Sequence, residues 1–217
     1  MTAPPAPTSA RRFQRLVLWG VLVLALVGIG GAALWSRLAG GEEAAPPPVL
    51  GQVPDFALTN RDGRTVTRAD LAGRPWVADF VFTRCALSCP LMTERMADLG
   101  RGREEPPFRR VSFTVDPEHD TPEVLARYAE RYAAPDDWLF LSGPAAKVYP
   151  LVREGFLLAV EPSPPPGTAS PQEPILHSNR FVLVDREGKI RGYYDAFDDE
   201  AMERLRADVE SLMAMSS

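Results

Sequence analysis

The chain has 217 residues, 45% of them hydrophobic and 24% charged, which suits one compact domain with an appendage and excludes two ordinary domains. Net charge is −5, but residues 1–40 hold four Arg and no acid, so residues 41–217 carry 20 basic against 29 acidic side chains, a net of −9. With no basic stripe, RNA-stacking motif or zinc-finger spacing, this acidic part excludes nucleic acid as a partner.

Residues 1–15 contain Arg11, Arg12 and Arg15 and read as a cytoplasmic N-terminus. From Leu16 to Trp35 follow 20 residues without a charge, which at about 1.5 Å per residue span the roughly 30 Å hydrocarbon core of a bilayer. Arg37 is soon followed by Glu42 and Glu43, so the charge bias keeps the N-terminus inside and exports the rest of the chain. Trp19 and Trp35 mark the two interfaces. A cleaved signal peptide is the rival reading, but the apolar run is long and Arg37 stands where cleavage at Ala39 needs a small residue. Residues 36–50 form a linker, and the Gly, Ala and Pro tract over 38–54 reads as an extended tether. Residues 51–217 are the folded part.

Within it, Phe56 to Thr59 and Arg64 to Thr67 flank a turn ending in Asp62-Gly63, a small hairpin. Trp76 to Phe82 is almost continuously apolar, the pattern of a buried central strand. Leu91, Met92, Met96 and Leu99 predict a helix that begins just after Cys89, with Pro90 near its start. A strand over 109–115 follows, then a capped helix from Asp120-Thr121-Pro122-Glu123 with Val124, Leu125, Tyr128 and Tyr132 on one face. Trp138 to Leu141 predicts a strand, Pro144 to Arg153 a helix and Phe156 to Val160 another strand, before a Pro-rich loop over 161–174. Arg180 to Val184 and Lys189 to Tyr194 pair across Asp185 to Gly188, and Met202, Leu205, Val209 and Leu212 face a last helix. Helices alternating with strands, closed by an antiparallel hairpin, predict an α/β thioredoxin-like sandwich with an N-terminal hairpin, preceded by one transmembrane helix.

Only two Cys and two His occur in the whole chain. Cys85 and Cys89 stand where a buried strand passes into a helix, which puts the second thiol at a helix N-terminus, where unpaired N–H groups favour a thiolate. Such a pair closes a disulfide or grips a metal. A purely stabilising disulfide is the bland reading, and the loop it closes is too short for much chain-entropy gain. His177, between the Pro-rich loop and the strand from Phe181, stands at the sheet end where this fold brings it near the thiols. Two thiolates and an imidazole suit copper, as Cu(I) or Cu(II). Zinc wants a fourth ligand; His119 is the only other His and stands in a loop, and the spacing matches no finger.

Three stretches, Asp79 to Pro90 (DFVFTRCALSCP), Phe113 to Pro122 (FTVDPEHDTP) and Leu176 to Asp185 (LHSNRFVLVD), together resemble the SCO/SenC proteins, for synthesis of cytochrome c oxidase. The resemblance covers roughly residues 50–215 and the single N-terminal anchor. It implies a thioredoxin-like copper metallochaperone on the outer face of the bacterial inner membrane, with Cys85, Cys89 and His177 as metal ligands. The implied partners are a copper donor protein and, as acceptor, the copper A subunit of cytochrome c oxidase or another copper protein. Asp116 is a candidate to orient His177. Two positions differ from the usual pattern: Ala86 replaces a Pro after the first Cys, and His119 replaces an Arg. Peroxiredoxins and thioredoxins proper fit less well, the first for lack of a Pro and a Thr ahead of the nucleophile, the second because they use CxxC. The competing functional class is a membrane-anchored thiol-disulfide oxidoreductase in which Cys85 attacks and Cys89 resolves.

Overall fold

The computed structural model describes residues 17–31, 46–101, 108–159 and 178–214. The chain divides into two compact units, Met1–Ala45 and Pro46–Ser217. In the first, residues 17–31 form helix α1, exposed along its whole length. Among the described residues no helix is long and apolar enough to cross a membrane. The rest of the expected span, Leu16 and residues 32–35, lies outside the described residues.

The second unit is built on one sheet of eight strands among the described residues, in the order β1-β8-β7-β4-β5-β6-β2-β3. The strands are β1 Gly51–Gln52, β2 Ala57–Asn60, β3 Thr65–Thr67, β4 Trp76–Val81, β5 Arg109–Thr114, β6 Trp138–Ser142, β7 Arg180–Val184 and β8 Lys189–Asp195. β4, β5 and β6 are parallel, and β7 runs antiparallel to β4. The helices are α2 Arg68–Leu71, α3 Ser88–Gly100, α4 Pro122–Arg131, α5 Ala145–Pro150 and α6 Asp199–Ala214. This is the expected thioredoxin-like α/β arrangement, with the hairpin β2–β3 joined to the sheet through β6.

β4 is buried at every position, because both faces of the sheet are covered. Trp76, Ala78 and Phe80 point into a core shared with Leu71, Val148 and Phe156. Val77 points into the other, with Met92 and Met96 of α3, Leu125 of α4 and Leu205 of α6. The turn after β2 needs Gly63, whose φ of 84° is the left-handed region.

Two expected elements are corrected. The helix over 144–153 stops being α-helical at Pro150, which lacks the N–H for the next bond, and the chain widens into a π turn over Leu151–Gly155. Gly155 is required there, since a Cβ would lie 2.7 Å from Cδ of Pro54. The strand expected over Phe156 to Val160 does not form over 156–159; Val160 lies outside the described residues. Phe156 caps the π turn, its ring 4.9 Å from that of Phe80 and 5.2 Å from that of Phe113. Leu157 has a φ of 54° and Leu158 N–H donates back to Val152 O at 3.1 Å, so the backbone cannot run on extended. Burial of the Phe156 ring outweighs the strand propensity of its neighbours.

The composition that reads as tether also runs into the fold. Gly51 and Gln52 pair with β8, Val53 is fully buried, and Pro47 O accepts a 2.8 Å bond from Arg191. The Pro-rich loop over 161–174 lies outside the described residues.

Candidate functional site

The parallel strands β4 and β5 end side by side, the place where open α/β sheets present their working residues. Past β4 the chain turns tightly, Cys85 N–H donating to Phe82 O at 3.2 Å. α3 then begins at Ser88, one residue ahead of the second Cys, with Pro90 in its first turn. Leu87 at the cap position supplies no side-chain acceptor. The acceptor is Cys85: its Sγ receives the N–H of Cys89 at 3.3 Å and lies 3.5 Å from Ser88 Oγ.

Cys89 stands at the N-terminus of α3 as expected, but the thiolate expected there is corrected: the sulfur that receives a helix N–H is that of Cys85, to which Cys89 donates its own N–H. Neither cysteine is in a disulfide, and Cys85 is 6% exposed and Cys89 fully buried. The hydrogen bond it shares with the Cys85 sulfur, and then burial, push the Cys89 thiol far above its ordinary range. The buried carboxyl of Asp79 on β4 pushes the same way. Negative charge at this turn therefore belongs on Cys85, which receives the helix N–H.

Two carboxylates hold the residues ahead of Cys85. Asp116 accepts from Arg84 Nε at 2.9 Å and Nη2 at 2.5 Å. Asp120, fully buried, accepts from Thr83 N–H at 3.1 Å, from Thr83 Oγ1 at 2.5 Å and from Thr114 Oγ1 at 2.6 Å. Burial drives its carboxyl upward from the usual range, and those three donors pull it back. Behind Cys89, Thr93 Oγ1 donates to Cys89 O at 2.8 Å, so the hydroxyl of Tyr128 is the donor in its 2.7 Å bond to Thr93. Within the expected helix start Asp120-Thr121-Pro122-Glu123 the capping side chain is Thr121, whose hydroxyl accepts from Val124 N–H at 3.4 Å, which leaves the Asp120 carboxylate for Thr83 and Thr114. Thr83, Thr114 and Thr93 carry no signal that composition or spacing reveals.

Of the expected site residues, Cys85 and Cys89 come together. His177 lies outside the described residues. Asp116 is engaged with Arg84, and His119 is exposed on the loop, its N–H donating to Asp116 O at 3.1 Å. Among the described residues no three His, Cys, Asp or Glu side chains converge as a metal site. The two sulfurs are nevertheless a soft, closely held donor pair that fits a thiophilic ion.

Residues 47–214 match the family described as SCO1/SenC. The SCO1 protein homolog of Bacillus subtilis (strain 168) is 32% identical over 175 residues, covering 79% of this chain and 88% of that protein. A putative copper-binding protein of Stutzerimonas stutzeri is 28% identical over 149 residues, 66% of this chain and 69% of that protein. Among solved structures, a SCO1/SenC family lipoprotein from Bacillus anthracis str. Ames superposes with a TM-score of 0.69 at 31% identity, covering 77% of this chain and 99% of that one. BsSco, described as having a disulfide switch and as a member of the Sco family of cytochrome c oxidase assembly proteins, gives 0.67 at 31% identity, with 78% and 97% covered. With nearly the whole of the second unit matched, the chain belongs to the SCO1/SenC family.

Proposed function

We propose that this protein is a membrane-anchored copper carrier for assembly of the copper A centre of cytochrome c oxidase, its cargo held by Cys85, Cys89 and His177. The observation that carries the reading is the thiol turn itself: a sulfur that accepts a helix N–H, with a second sulfur one turn further on and shielded from water. Such a pair offers two soft ligands at fixed separation, and His177 supplies a borderline third. Loading displaces the thiol protons, so affinity rises with pH until the ligands are fully deprotonated. The S. stutzeri relative named for copper binding and the oxidase-assembly description of BsSco support the reading. The partners that follow are a copper donor and an acceptor, the copper A subunit or another copper protein.

The second reading, a thiol-disulfide oxidoreductase, is favoured by the inequality of the two thiols: Cys85 is placed to attack and buried Cys89 to resolve. Anaerobic copper titration of the reduced full chain in detergent, against a competing chelator, separates the two. The carrier reading expects one copper per chain, with affinity lowered at least about tenfold in each of Cys85→Ser, Cys89→Ser and His177→Ala. Binding indifferent to His177 would leave the oxidoreductase as the function.

A further inference from the structure

Thr83 stands two residues ahead of Cys85, and the buried side chain that holds its backbone N–H comes from another element. Asp120 belongs to the loop between β5 and α4, yet its carboxylate turns away from the helix it precedes. One oxygen accepts the Thr83 hydroxyl; the other accepts the Thr83 N–H and the Thr114 hydroxyl. The ring closes on itself: Thr114 Oγ1 accepts Asp116 N–H at 3.0 Å, and Asp120 N–H donates to Asp116 O at 2.9 Å. Capping α4 does not explain the carboxylate, because Thr121 does that. A fully buried carboxylate is costly unless it is well bonded, and two of its three donors are in the thiol turn.

We propose that Asp120 is a positioning residue for the thiol pair: it fixes the backbone at Thr83, so that the chain re-emerges from β4 with the Cys85 sulfur over the first N–H groups of α3. The inference deepens the reading of Cys85 and Cys89 as the working thiols and rests on it. Without Asp120 the end of β4 is free to move, the contact from Cys89 N–H to Cys85 Sγ is lost for part of the time, and the reduced pair loses a stabilising interaction that its disulfide does not need.

The dithiol–disulfide equilibrium of the full chain in detergent, measured against glutathione, reads this directly. One glutathione disulfide takes two electrons from the pair, one protein S–S bond forms, and two glutathione thiols are released. Asp120→Ala is expected to shift the equilibrium about tenfold toward the protein disulfide. Thr114→Val shifts it in the same direction by less, and Thr114→Ser, which keeps the hydroxyl, restores the parent value. Thr121→Ala is the control, because it removes a helix cap and lowers melting temperature without touching Thr83. If Asp120→Ala moves the equilibrium no further than Thr121→Ala does, Asp120 is merely structural and the proposal falls. Should Asp120→Ala fail to fold, Thr114→Val against Thr114→Ser decides by the same criterion. The equilibrium is read without copper, so loss of the copper reading leaves this result standing on its own.

Discussion

Cys85 and Cys89 are four residues apart and chemically unequal, because the first precedes the helix and the second is inside it. The helix N–H groups act on the sulfur they point at, and the geometry gives that sulfur to Cys85. Cys89 has no exposure, and the hydrogen bond to its neighbour's sulfur, then burial, push its thiol upward. Iodoacetamide at neutral pH should therefore alkylate Cys85 first, with Cys89 at least about tenfold slower, as read by peptide mass spectrometry over time; equal rates would contradict the assignment. The motif that announced the pair was legible in the sequence, since two Cys at a strand-to-helix junction are rare in a chain with only two. Which thiol is favoured as the anion was not legible, because it depends on where α3 starts within one residue, and helix starts are set by local caps that compete closely.

At the scale of elements, the strands and helices with strong periodicity were readable and those fixed by distant packing were not. β4 declared itself through a nearly continuous apolar run, and α6 through Met202, Leu205, Val209 and Leu212, all buried. β1 did not: two residues in a Pro-rich tract become a strand because β8 offers them partners. Arg191 on β8 fastens that segment, donating from Nε to Asp185 Oδ2 at 2.7 Å and from Nη1 to Pro47 O at 2.8 Å. Both side chains of the ion pair are enclosed, Arg191 13% and Asp185 4% exposed. Arg191→Met would strand the Asp185 carboxylate with only the Glu187 and Lys189 N–H donors. The variant should lose about 3 kcal/mol in urea unfolding and become cleavable first within residues 46–53 under limited proteolysis. A wild-type midpoint and cleavage pattern would show that β1 is held by its strand pairing alone.

For the whole molecule, the chain order of elements does not run along the sheet. The first hairpin, β2–β3, sits beyond β6, while β4 takes the centre between β5 and β7. That arrangement brings the ends of β4 and β5 together and so lets Asp116 and Asp120 reach Arg84 and Thr83, 32 and 37 residues away in the chain. The N-terminal segment poses a separate question. The uncharged run from Leu16 to Trp35 predicts retention of the full chain in membranes washed with alkaline carbonate, and release of a variant lacking residues 1–45. Recovery of the full chain in the carbonate supernatant would overturn the anchor and favour cleavage or another mode of attachment.

The sequence alone determined the class of fold and the thiol pair, because apolar periodicity and residue chemistry are local properties that neighbouring residues express without help. It determined far less about the surroundings of the pair. Asp120 as the clamp on Thr83, Phe156 as a core aromatic instead of a strand residue, and Gly51–Gln52 as a strand instead of tether were decided by tertiary structure. Each depends on a partner far away in the chain, and the free energy of burying a ring, a carboxylate or a backbone edge is set only when that partner arrives.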